Sequence, residues 1–148
     1  MRVSLFTIML LLYAHPALAV LGGAPTEFGV RGSARKAQAL VVLTRQNYRV
    51  NESMLVSGTL VREYVASSGV VFAVSWHGPF LPDLHTLLGA HFNTMVTEAH
   101  KIPRAGHSQL RVARPEVNIV SGGHLRAFEG RAWMFSGFPP GFNLDDIQ

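Results

Sequence analysis

A chain of 148 residues without a single cysteine excludes disulfides, zinc–thiolate sites, iron–sulfur clusters and cysteine nucleophiles. Its 13 Lys and Arg outnumber 9 Asp and Glu, giving a formal charge of +4. That surplus is spread along the chain, not clustered with aromatic residues, which excludes the footprint of a nucleic-acid binder.

The N-terminus reads as an export signal. Arg2 supplies a short positive region, residues 5–14 form a nearly unbroken apolar run, Pro16 interrupts it, and Ala17-Leu18-Ala19 has the small-x-small pattern that signal peptidase accepts. The run falls well short of the roughly 20 apolar residues a bilayer span requires. Residues 1–19 are therefore expected to be a cleaved signal peptide. The mature chain would start at Val20 and reside in the periplasm or the extracellular medium, with no stable membrane insertion after cleavage. Its length of about 129 residues suffices for one core and is too small for two.

Residues 20–36 mix Gly, Pro, Ser and charge without a period and read as a flexible arm. The domain proper is expected over 37–135, with an irregular Gly- and Pro-rich tail over 136–148. Within the domain, residues 39–44 are apolar and β-branched, and Tyr48-Arg49-Val50 continues the pattern after a turn. The strongest β signal is 59–76. Two strands of Val, Tyr, Phe and Trp flank Ser67-Ser68-Gly69, and simple alternation places Val70, Phe72, Val74 and Trp76 on one face.

A helix is predicted over about 82–101. Pro82 suits its first position and Asp83 its first turn. Leu84, Leu87, Leu88, His91, Phe92, Met95 and Val96 keep an i, i+3, i+4 stripe, and Pro103 stops it. Gly89 is a defect costing about 1 kcal/mol relative to Ala. Residues 109–113 then alternate as a strand, 117–121 and 124–128 flank Gly122-Gly123 as a hairpin turn, and 130–135 adds a short strand. Strands, helix, strands implies an α+β domain, an antiparallel sheet covered on one face by one long amphipathic helix.

Chemistry is sparse. Trp76-His77-Gly78-Pro79 joins a strand to a helix start, where free backbone N–H groups can receive an anion. His77 could act there as a base or anion ligand, with Asp83 nearby and Trp76 as an apolar wall. A turn shaped by Gly78 and Pro79, with Trp76 in the core and His77 in solvent, uses the same residues. Arg62 and Tyr64 alternate with Glu63 and face one side of their strand, as a polar patch or as a surface ion pair beside a packed ring. Histidines at 77, 85, 91, 100, 107 and 124 follow no metal-binding spacing. Nucleophile elbows and phosphate loops are also missing, so no metal, cofactor or catalytic residue is assigned.

Three stretches, 58–65 (GTLVREYV), 69–79 (GVVFAVSWHGP) and Pro82-Asp83-Leu84 with Leu87-Leu88-Gly89, resemble the bacterial domain-of-unknown-function family 2844. Leu21-Gly22-Gly23 and Gly123…Phe128-Glu129-Gly130-Arg131-Ala132 extend the resemblance over the mature chain. The resemblance implies export and a shared fold; it carries no activity. The expected function is a non-catalytic extracytoplasmic binding or accessory module for an envelope protein or anionic envelope polymer. The alternatives are a small hydrolase-like enzyme using His77 and Asp83, or a structural envelope-assembly protein.

Overall fold

The computed structural model describes residues 21–26, 37–45, 47–101 and 109–148. The predicted signal peptide, the rest of the N-terminal arm, Pro103 and His107 lie outside them. Seven strands form one antiparallel sheet: β1 (Ala37–Thr44), β2 (Tyr48–Leu55), β3 (Leu60–Ala66), β4 (Val71–Gly78), β5 (Gln109–Ala113), β6 (Asn118–His124) and β7 (Ala127–Trp133). Their order is β1-β2-β3-β4-β7-β6-β5. Two meanders thus meet where β4 pairs with β7, and the crossover between them carries the helices.

The domain is sheet-dominated, which corrects the expectation of a sheet covered by one long helix over 82–101. The predicted helix is two short ones, α1 (Leu84–Leu88) and α2 (His91–Lys101). Gly89 divides them. It adopts φ 50°, ψ −122°, its N–H closes α1 on the His85 carbonyl, and its own carbonyl accepts from Phe92 N–H. Only glycine visits that conformation cheaply, so the residue read as a defect is the joint. The apolar stripe nonetheless faces the sheet: Leu84, Leu87, Leu88 and Met95 pack over Val61, Val65, Val74, Trp76, Val112 and Ile119.

Two local readings also change. The β6–β7 turn falls at Leu125-Arg126, not at Gly122-Gly123, which lie inside β6; Arg126 takes φ 67°. In β4 the pairing skips Phe72, because Tyr64 opposes Ala73 while Val65 opposes Val71. This bulge breaks the alternation. Val71, Val74 and Trp76 enter the helix-side core, whereas Phe72 and Ala73 enter a second core on the opposite face.

That second core is made by residues after β7. The tail has only short 3-10 turns at Phe135–Gly137 and Leu144–Asp146, yet Phe138, Phe142, Leu144 and Ile147 pack around Phe72, Tyr48, Tyr64 and Trp133. Both sheet faces are covered, the second only in part.

On the helix side one buried side chain among the described residues is ionisable. Glu63 is 2% exposed, and its Oε1 accepts from both the backbone N–H and the hydroxyl of Thr26, while Oε2 has no partner among the described residues. Thr26 belongs to a segment docked by three main-chain bonds, Leu21 N–H to Leu87, Gly22 N–H to Val71 and Val71 N–H to Gly23. Burial raises the Glu63 carboxyl above its ordinary value, and the Thr26 bonds offset this only in part. A carboxyl whose proton is held more tightly in the folded state favours folding fully below the unfolded value, and that contribution is lost as pH rises through the folded value. Urea unfolding of wild type and Glu63→Gln should therefore diverge with pH, the wild type losing stability relative to the variant between acid and neutral pH. Parallel curves would show that Glu63 does not titrate in that window.

Candidate functional site

On the tail side of the sheet, strand pairing aligns residues from six strands in one transverse row. Glu52 opposes Arg62, Arg62 opposes Ser75, Ser75 opposes Arg131, Arg131 opposes Val120, and Val120 opposes Arg111. Neighbouring strands are about 4.8 Å apart, so Arg131 stands about 10 Å from Arg62 on one side and about 10 Å from Arg111 on the other. The next row runs Leu60, His77, Glu129, Gly122 and Gln109 by the same pairings. Apart from Glu52, the residues of both rows line an open groove of about 470 Å³, which Ile147 and Gln148 also line.

The groove is cationic. Arg62 is engaged by Glu52, with Nε 2.6 Å from Oε1. Arg111 and Arg131 have no carboxylate at ion-pair distance among the described residues. Arg131 lies over the Trp133 ring, 5.6 Å from its centroid, an arrangement that holds the guanidinium without neutralising it. Glu129 is the one acidic residue in the lining.

Ile147 and Gln148 meet this floor through polar contacts. The main-chain oxygen of Gln148 accepts from the Ser75 hydroxyl, from Arg62 Nη1 at 3.0 Å and from the Tyr64 hydroxyl at 3.5 Å. Gln148 N–H donates to the Tyr64 hydroxyl at 3.0 Å, and Arg131 Nη1 reaches the Ile147 carbonyl at 3.4 Å. Ile147 is 3% exposed and anchors the segment in the second core.

Of the residues singled out from the sequence, Arg62 and His77 line the groove, and His77 is exposed opposite Glu129. Tyr64 is buried and contributes through its hydroxyl. Trp76 borders the groove, but its indole packs into the helix-side core. Asp83 is not part of the lining. It caps α1, and the Thr86 hydroxyl first, then backbone N–H groups, hold its carboxyl below the ordinary value. Ser75, Arg111, Arg131 and Gln148 also line the groove and are not among the candidate site residues read from the sequence. Alternation puts Arg111 and Arg131 on single strand faces, but only the register brings those faces together.

Among the described residues no group of three or more His, Asp or Glu side chains could hold a metal ion, and no helix is long and apolar enough to cross a membrane. The arrangement offers fixed guanidinium, hydroxyl and imidazole groups over an open trough, which suits holding an anion. The model of the family described as protein of unknown function, DUF2844, matches residues 17–147. No curated protein and no solved structure matches the chain.

Proposed function

The chain belongs to the DUF2844 family, and we propose that this member is an exported, non-catalytic module that binds an extended carboxylate-bearing polymer across the strands of its sheet. The observation carrying this reading is the single cross-strand row of Arg62, Arg131 and Arg111, with two of the three guanidiniums unpaired among the described residues. An extended chain advances about 3.3–3.6 Å per residue, so about six or seven residues of an acidic chain span the roughly 20 Å from Arg62 to Arg111. Export is supported by the leader pattern of residues 1–19. The hydrolase-like alternative is weakened because Asp83 serves as a helix cap away from the groove, which leaves His77 without that acid partner.

Calorimetric titration with hexaglutamate tests the reading. The wild type should bind at low salt and weaken as salt is added, because screening acts over about 8 Å at physiological ionic strength. Arg111→Ala should lose about 5–10-fold in affinity, the low end of what a charge-assisted contact supplies at an open site. Its exposed side chain makes no ion pair among the described residues, so folding stability should stay within about 0.5 kcal/mol of wild type. Undiminished binding by Arg111→Ala, or no binding by wild type at low salt, would contradict the proposal.

A further inference from the structure

The segment at Ile147–Gln148 lies across the middle of the arginine row. The Gln148 oxygen sits on Ser75, between Arg62 and Arg131. On the far side of the segment a smaller depression of about 110 Å³ continues the same sheet face, and Arg62 and Gln148 line both. Without the segment, the two hollows would be one trough over the row.

A hydroxyl, a guanidinium and a phenol converge on the main-chain oxygen of Gln148. Such a cluster matches the lone-pair sites of a carboxylate. Resting on the reading of this face as an anion-binding groove, we infer that Ile147–Gln148 is a displaceable occupant of its central subsite. There Arg62, Ser75 and Tyr64 receive a ligand carboxylate once the segment has swung out. In the closed form the segment occupies the row at Arg62 and Ser75, and a ligand crossing the whole row binds the open form. Its apparent affinity is then reduced by the fraction of molecules that are open.

The segment is held by one buried side chain, Ile147, and by hydrogen bonds to the groove floor. Ile147→Ala in the full chain should raise the open fraction and tighten hexaglutamate binding by about 10-fold, the shift expected when a competent state rises tenfold. Ser75→Ala added to that variant should remove the gain. Because Ile147→Ala could loosen the second core, its melting transition is recorded alongside. A second measurement uses the wild type alone: exchange of the Gln148 amide, which is bonded to Tyr64, should accelerate when hexaglutamate saturates the protein. Hexagalacturonate titrated in parallel separates a peptide from a uronic-acid chain as the carboxylate source, and a gain with either supports the inference. Unchanged affinity in a folded Ile147→Ala, or a Gln148 amide equally protected in the complex, overturns it while leaving the groove reading intact. Loss of all binding in every variant at low salt would instead overturn the groove reading itself.

Discussion

Replacing Phe72 with Ala should cost about 3–5 kcal/mol, the range for truncating a large buried aromatic residue. Phe72 is 1% exposed and is the hub of the second core. Its ring lies 4.8 Å from Phe142, 5.7 Å from Phe138, 6.1 Å from Tyr48 and 6.4 Å from Tyr64, mostly in edge-to-face contacts. Such pairs add about 0.5–1.5 kcal/mol beyond area burial. Phe72 is also the bulged residue of β4, so its direction depends on the irregular pairing with β3. The substitution should do more than lower the urea midpoint. It removes the surface on which the tail rests, so protease cleavage after β7 should appear at denaturant concentrations where β3 and β4 remain protected. A loss below about 1 kcal/mol with an uncleaved tail would mean that the aromatic cluster does not hold the tail in place.

Gly130→Ala should be comparably damaging through the opposite fault, overpacking. A Cβ at Gly130 would lie 2.2 Å from Trp76 Cζ2 and 2.8 Å from the Val120 carbonyl oxygen. The indole is 2% exposed within the helix-side core, and the oxygen belongs to the neighbouring strand, so neither can simply step aside. Inserted methyl groups in a packed core cost about 1–3 kcal/mol, and occasionally more. The test is a double-mutant cycle. Trp76→Leu alone should destabilise, and in that background Gly130→Ala should cost less than in wild type, the clash with the Val120 oxygen remaining, which leaves a coupling of about 1–3 kcal/mol. Additive effects would show that the clash is relieved elsewhere. This pair also bears on the site, because Gly130 and Trp76 lie beside Arg131 and His77 in β7 and β4.

What could be read from the sequence was whatever local pattern decides. The strands at 59–76 and the inward Leu84 and Leu88 follow from periodicities of two and 3.6 residues, and both are present. The single long helix failed because a stripe of apolar residues continues through Gly89, and periodicity does not register a joint that keeps the same face buried. The hairpin turn was misplaced because Gly122-Gly123 looks like turn chemistry, whereas the chain turns at Leu125-Arg126 with Arg126 itself at positive φ. The groove was legible only at Arg62 and His77. Arg62 was visible as a strand-face cation, but Arg131 and Arg111 join it through the non-local pairing of β4 with β7 and through the register of β5 on β6. Gln148 was lost for another reason. A Gly- and Pro-rich tail suggests no regular structure, and composition does not reveal that its aromatic residues anchor it on the sheet.

The most direct test of the arginine groove is a map of backbone amide chemical shifts during titration with hexaglutamate at low salt. The largest changes should trace the row and its neighbour across the strands, at Arg62, Ser75–His77, Glu129–Arg131, Val120 and Arg111. The helix face at Leu84–Leu88 and His91–Lys101 should stay silent. Shifts concentrated on the helices or at the α1 start near Asp83, or no shifts at all, would contradict the account.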